Sequence, residues 1–275
     1  MNEFDLKSRE LTLKQLLLQA GDLALHHFNS RDPNRYSLKQ AQDFVTEADL
    51  IVEQFIRKEL ANSFPEDGIF GEEAGGESDH TRLWVIDPID GTANFARGIS
   101  HFCVVIAFVE EGTTLLGGIY NPVTQELYLA RKGAYAHKNG IPIHVANTAT
   151  LQATTLELGW SNRVPQQRYL DTYCTLLAAG TNIRRGGSGA LALAWVAEGK
   201  TDGYAELHMN AWDCLAGLLL VEESGGWIGQ YPSCHAEIIQ GGAILAAAPS
   251  VAATLSQATE IALKPATHIG NEHGQ

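Results

Sequence analysis

Asp87 and Asp90 stand three positions apart in Trp84-Val-Ile-Asp-Pro-Ile-Asp-Gly-Thr-Ala-Asn-Phe95. The apolar run before Asp87 reads as a buried strand, and Pro88, which cannot donate a ladder hydrogen bond, turns the chain at its end. Asp90-Gly91-Thr92 has the form of a helix start, whose first N–H groups lack partners inside the helix and suit an anion. Two carboxylates beside such an end repel an anion unless hard cations lie between them, and Mg²⁺ is the oxygen-seeking candidate. Taken alone, the spacing fits an ordinary Asp-capped turn as well. More acids accompany it. Gly71-Glu72-Glu73 follows Ile69-Phe70 at a strand end, and Asp213 follows Trp212 at the start of an apolar helix, where a first-turn acid also suits the macrodipole.

Other residues have two readings. Thr46-Glu-Ala-Asp49 is close to a capping box. Arg184-Arg-Gly-Gly-Ser-Gly-Ala190 allows close backbone approach to a ligand, or forms a loop with Ser188 as a helix cap. His208, between Glu206 and Asp213, either lines a pocket or is packed or solvent-facing, and the other histidines show no ligand spacing.

The elements that position these groups follow from periodicity. Leu13, Leu16, Leu17, Ala20, Ala24 and Phe28 predict a helix over 11–28, ended by Asn29-Ser-Arg-Asp-Pro33. A second helix is expected from Thr46, with Val52, Phe55, Ile56 and Leu60 inward, stopping at 63–68. Strands are expected at 83–86, 102–109, 115–120 and 126–130, with a hairpin at Lys138-Asn-Gly-Ile141. Beyond about 150, strands (156–158, 204–206, 243–248) alternate with helices (166–178, 190–198, 212–223). Residues 1–150 therefore read as an α+β half and residues 151–275 as an α/β half, layers of one unit without a linker. The polar tail, 265–275, is expected to be loose.

With 45% hydrophobic and 19% charged residues, the 275-residue chain is globular in composition. A net charge of −13 argues against non-specific affinity for nucleic acid or an anionic membrane, while acids gathered around cations still accept a phosphate. The apolar runs 215–221 and 243–248 are too short to span a membrane. The N-terminus lacks a signal-peptide plan, so a cytoplasmic location is expected. Cys103, Cys174, Cys214 and Cys234 are scattered and read as reduced, mostly buried thiols.

In combination, Gly71-Glu72-Glu73, Asp87-Pro-Ile-Asp-Gly-Thr-Ala-Asn-Phe95 and Trp212-Asp213 resemble the inositol monophosphatase family over nearly the whole chain. The resemblance implies a layered α/β/α/β/α sandwich of the sugar-phosphatase type, two or three Mg²⁺ ions and a homodimer. It implies that Glu72, Asp87 and the Ile89 carbonyl hold one metal, that Asp87, Asp90 and Asp213 hold a second, and that Glu72 helps a third. Asp49 is implied to work with Thr92 in orienting the attacking water, with Glu72 also catalytic. Asp90, Gly91, Thr92 and Asp213 are implied to contact substrate, and Gly187, Ser188, Gly189 and Glu206 to meet its hydroxyls. An alanine is usual where Gly189 stands, which leaves the pocket shape open.

The implied reaction is hydrolysis of a small phosphate monoester by metal-activated water, with no covalent phosphoenzyme. Ala93-Asn94-Phe95 and Gly98-Ile-Ser-His-Phe102 look like the inositol phosphatase branch, which points to a myo-inositol or similar polyol monophosphate. Histidinol phosphate, fructose 1,6-bisphosphate and 3′-phosphoadenosine 5′-phosphate are alternatives on the same metal core. Similar bacterial members include extragenic suppressor proteins that act through macromolecular partners, so a protein-binding role is a further expectation; direct RNA binding is disfavoured by the charge.

Overall fold

The first helix, α1 (Glu3–Asn29), begins two turns before its apolar stripe, and Asn2 caps it by accepting from the Asp5 N–H at 2.9 Å. Charge holds those early turns: Arg9 pairs with Asp67, and Glu3 and Glu10 with Arg131. The computed structural model describes residues 2–30, 36–40, 43–76, 80–232 and 235–264. A hairpin of β1 (Tyr36–Gln40) and β2 (Asp43–Thr46) leads into α2 (Glu47–Ser63), capped by Thr46 as predicted.

The larger sheet has seven strands in chain order: β3 (Gly68–Gly71), β4 (Arg82–Asp90), then after the one-turn helix α3 (Thr92–Ala96), β5 (Cys103–Glu110), β6 (Thr113–Asn121), β7 (Glu126–Arg131), β8 (Tyr135–Lys138) and β9 (Ile141–Pro142). Only β3 and β4 run parallel. Asn139 and Gly140 both take positive φ in the predicted tight hairpin.

The second half supplies β10 (Thr155–Leu158), α4 (Gln166–Ala178), β11 (Asn182–Arg184), α5 (Gly189–Ala197), β12 (Gly203–Met209), α6 (Ala211–Glu223), β13 (Trp227–Ile228), α7 (His235–Ile238), β14 (Gly242–Ala247) and α8 (Pro249–Thr259). Its mixed five-stranded sheet has the order β11-β10-β12-β14-β13. The short β11 and β13 carry too little pattern for prediction.

These elements stack as a layered α/β sandwich. Helices α1 and α2 cover one face of the larger sheet, α5 and α6 lie between the sheets, and α4 and α8 lie beyond the smaller one. Patterning explains the order. Helix α6 buries Ala211 and every residue from Cys214 to Val221, as a helix clamped between two sheets must, whereas α1 is apolar along one stripe. Among the described residues no helix is long and apolar enough to cross a membrane. Cys103 and Cys214 are buried as expected, but Cys174 is exposed, because it falls on the outer side of α4. Cys234, residues 31–33 and the tail 265–275 lie outside the described residues.

Candidate active site

In a regular strand, residues 87 and 90 face opposite sides of the sheet. Against β5, Asp87 is opposite Val105 and Asp90 opposite Cys103, so β4 has one extra residue there. That bulge at Pro88-Ile89 sends Ile89 to the α1/α2 side with Trp84 and Ile86, and returns Asp90 to the side of Asp87. Parallel pairing delivers the next acid: Gly71 is level with Ile86, and the Glu72 N–H donates to the Ile86 carbonyl at 3.2 Å, so Glu72 emerges beside Asp87. The first turn of α6 brings Asp213, which accepts from Asn210 Nδ2 at 3.2 Å.

Carboxylate oxygens of Asp87, Asp90 and Asp213 lie within 4.8 Å of one another. Asp87 is almost wholly buried, and its Oδ2 has no hydrogen-bond partner among the described residues. Burial, and then the charges of Glu72, Asp213 and Asp90, push its carboxyl well above the usual range. Burial and the Asp90 charge push Asp213 up to about 7. Burial also raises Asp90, opposed by its hydrogen bonds. Acids so placed must share protons or hold a cation. An all-oxygen set with a buried orphan oxygen fits a hard divalent ion such as Mg²⁺.

Asp90 is gripped from the other half of the chain. Its Oδ2 accepts from Ser188 Oγ at 2.5 Å and the Ala190 N–H at 2.9 Å, and its Oδ1 from the Gly189 N–H at 3.2 Å. These donors are the cap and first N–H groups of α5, which otherwise lack acceptors. Ser188 was expected to meet substrate hydroxyls; its hydroxyl is engaged with Asp90, and the residue is 3% exposed. Asn94 ties the same loops together, Nδ2 donating to the His101 carbonyl at 2.8 Å and the Gly186 carbonyl at 3.0 Å.

Asp49 both caps α2 and reaches Thr92. Its Oδ2 accepts from the Thr46 N–H at 2.8 Å in a capping box, and its Oδ1 lies 3.3 Å from Thr92 Oγ1. Burial raises its carboxyl to about 6. Thr92 Oγ1 is also 3.0 Å from the Ile89 carbonyl, and its single proton serves one acceptor at a time. Gly91 caps α3 at φ 94°, where a Cβ would lie 2.9 Å from the His101 carbonyl oxygen.

A cavity of about 370 Å³ opens above the aspartates. Glu72, Asp90, Gly91, Thr92, Gly187, Ser188, Gly189, Glu206 and Asp213 line it; Asp87 and Ile89 lie beneath, and Asp49 is reached through Thr92. Glu206 accepts from Tyr204 OH at 2.6 Å, and burial pushes it up to about 7. At Gly189, Met209 fills the space that an alanine methyl would need: a Cβ there would lie 2.0 Å from Met209 Cε. His208 does not line the cavity; its Nε2 meets the Gln240 carbonyl at 3.0 Å.

Sequence reasoning missed Glu53. Buried on α2, it accepts from the Glu73 and Ala74 N–H groups at 2.8 and 3.0 Å and pairs with Arg57 at 2.7 Å, pinning the turn that carries Glu72. The available signal was its place on the inward stripe, four residues after Asp49 and three before Ile56.

The model of the inositol monophosphatase family matches residues 5–264. The chain is 40% identical over 219 residues to "Nus factor SuhB" of Xylella fastidiosa, covering 79% of this chain and 80% of that protein. It is 37% identical over 218 residues to "Inositol-1-monophosphatase" of Rhizobium meliloti, covering 78% and 82%. The crystal structure of extragenic suppressor protein suhB from Bartonella henselae superposes with a TM-score of 0.83 at 32% identity, over 90% of this chain and 96% of that one.

Proposed function

The chain belongs to the inositol monophosphatase family, and we propose that it is a Mg²⁺-dependent phosphatase that hydrolyses a small phosphate monoester, with a myo-inositol or similar polyol monophosphate as substrate. The observation carrying this reading is the cluster of Asp87, Asp90 and Asp213 within 4.8 Å, with an unpartnered buried oxygen, below a cavity of about 370 Å³. Asp87, Asp90 and Asp213 would hold the ion that this geometry suits, with Glu72 and the Ile89 carbonyl beside them. Mg²⁺ bound there supplies positive charge for the phosphate and acidifies the attacking water.

The chain's own groups do the rest. Near pH 7, above its value of about 6, Asp49 is mostly ionised and accepts the Thr92 hydroxyl proton. Thr92 then turns a lone pair toward the cavity, where it accepts from a water and orients it. Gly91, Thr92 and Ala93 line the cavity, and the first-turn N–H groups there, which lack partners inside the helix, would serve the phosphate. Because α3 has only five residues, its dipole adds little, and positioning by these N–H groups matters more. Glu206 and the Gly187–Gly189 backbone form the wall for the alcohol part.

The deciding experiment is phosphate release from inositol 1-phosphate, histidinol phosphate and fructose 1,6-bisphosphate, with and without Mg²⁺. Mg²⁺-dependent release, greatest from inositol 1-phosphate, is expected. Release unaffected by chelation would sink the metal assignment, and preference for another ester would rename the substrate.

The 40% identity to a protein named a Nus factor favours a second, binding role beside catalysis. A metal-site variant that still restores a knockout phenotype would make the partner role the essential one. One that fails while its wild-type parent succeeds would assign the phenotype to catalysis.

A further inference from the structure

Two acids of the site occupy the same helical position. Asp49 and Asp213 each stand three residues after the N-cap of a helix, Thr46 of α2 and Asn210 of α6. At α2 the cap serves the helix, the Thr46 hydroxyl accepting from the Asp49 N–H at 3.4 Å. Asn210 is of a type well suited to the same task, yet its side chain makes no cap hydrogen bond. It bridges instead. Asn210 Oδ1 accepts from Arg163 Nη1 at 2.8 Å, and Nδ2 donates to Asp213 Oδ2 at 3.2 Å.

These partners leave the amide one orientation, because a guanidinium only donates and an ionised carboxylate only accepts. His208 Nε2 lies 3.5 Å from the same Arg163 nitrogen, but its hydrogen goes to the Gln240 carbonyl, so it offers Arg163 no lone pair. The neutral amide between Arg163 and Asp213 also has an electrostatic consequence. A guanidinium directly on Asp213 would put positive charge where the cluster of Asp87, Asp90 and Asp213 suits a cation, and would compete with it. The amide passes on a directed donor without that charge. A carboxylate with one oxygen held in this way is oriented before an ion arrives. Arg163 lies between β10 and α4, in a segment whose Gly159 and Trp160 line the cavity, so the same bridge ties the cavity wall to Asp213.

We infer that Asn210 is a positioning residue for Asp213 and that Arg163 acts through it, the pair raising the affinity of the site for its divalent ion. The inference rests on the metal-dependent phosphatase reading above and adds residues outside the ligand set. Asn210 lines the cavity, but this role runs through Asp213 and requires no contact with the reacting atoms.

Mg²⁺ titration of the whole protein, followed by calorimetry with no substrate present, tests it. Asn210→Ala is expected to weaken Mg²⁺ binding by about 10-fold. Arg163→Ala, which leaves the amide but frees it, should weaken binding about threefold, and Arg163→Lys, which keeps one donor, should recover most of that loss. The double alanine variant should bind Mg²⁺ no more weakly than Asn210→Ala alone, since Arg163 acts only through Asn210. In phosphate-release assays, saturating Mg²⁺ should return kcat of Asn210→Ala to within about twofold of the wild type. Thermal melting in a chelator checks that each variant folds. Arg163 is exposed, so its two variants decide the matter if Asn210→Ala does not fold. Unchanged Mg²⁺ affinity in the alanine variants, or additive losses in the double variant, overturns the inference. A kcat deficit that persists at saturating Mg²⁺ would place Asn210 in the chemistry and overturn it as well. A wild type that binds no Mg²⁺ would instead remove the metal assignment of the phosphatase reading, and the inference with it.

Discussion

Strand β4 has a buried acidic group near each end, and the two ends are opposite in charge balance. Near its start, Asp67 is 1% exposed at the side chain and surrounded by donors: Arg9 Nε at 2.8 Å, Arg9 Nη2 at 2.9 Å, Trp84 Nε1 at 3.1 Å and Arg82 Nε at 3.5 Å. The Arg9 guanidinium lies 4.5 Å from the Phe64 ring centroid and 5.1 Å from that of Phe108, so the pair sits in an aromatic setting. At the other end Asp87 and Asp90 meet Asp213, and Asp87 Oδ2 has no partner among the described residues. The same sheet therefore buries one carboxylate as a finished structural joint and several others as an unfinished one. A charge balanced inside the fold serves stability; a charge left unbalanced beside a cavity reserves a place for something brought from outside.

Replacing one acid at each end separates these roles. Asp90→Asn removes a negative charge from the proposed metal site, and kcat/KM is expected to fall on the order of 10³-fold while far-ultraviolet circular dichroism still reports a folded chain. An active Asp90→Asn protein at ordinary Mg²⁺ would break the assignment. Asp67→Ala should do the reverse. It strands Arg9 in the interior, with an expected loss of about 3–5 kcal/mol in urea unfolding and little change in kcat per folded molecule. Equal damage to activity from both substitutions would erase the distinction between the two ends.

The two ends also differed in how far the sequence revealed them. Asp87, Asp90 and Asp213 were legible because motif, strand end and helix start coincide within short segments. The bulge that aims Asp90 was only hinted at by Pro88. The grip on Asp90 by Ser188, Gly189 and Ala190 joins residues about a hundred positions apart, and no local period records it. The Arg9–Asp67 joint spans 58 positions, and it anchors helical turns whose polar composition concealed them from an apolar-stripe reading. Glu53 was hidden for a related reason: an acid on the inward stripe looks like an interruption until its backbone donors, 20 positions away, are seen. The layered fold was anticipated through the family resemblance, and the structure gives its physical reason: α5 and α6, which lie between the two sheets, are buried along almost their whole length.

Mg²⁺ itself sharpens the contrast at an intermediate scale. A ligand that binds only the folded state stabilises it by mass action, about 2.7 kcal/mol when present at 100 times its Kd. Thermal unfolding should therefore move upward with Mg²⁺ in the wild type and in Asp67→Ala, and scarcely at all in Asp90→Asn. The shift should be smaller in mildly acidic buffer, because protons compete for the same carboxylates. An equal Mg²⁺ response in Asp90→Asn would place the ion elsewhere.

The smallest expected effect concerns the metal-free protein. Asp213 rises from 3.8 to about 7, chiefly through burial and then through the charge of Asp90. Between those values the folded state holds a proton that the unfolded state has released, so this residue's contribution falls as pH rises through that window. An amide in place of this carboxyl cannot ionise, and its carbonyl can still accept from Asn210 Nδ2, which lies 3.2 Å from Asp213 Oδ2 in the wild type. With a chelator present, Asp213→Asn should therefore be more stable than the wild type by on the order of 1 kcal/mol at about pH 8, with the gain nearly gone at about pH 4. Urea unfolding of both proteins at the two pH values measures it. A gain of the same size at both would trace the effect to packing, and a loss at about pH 8 would mean that the aspartate cluster is balanced inside the fold after all, as Asp67 is.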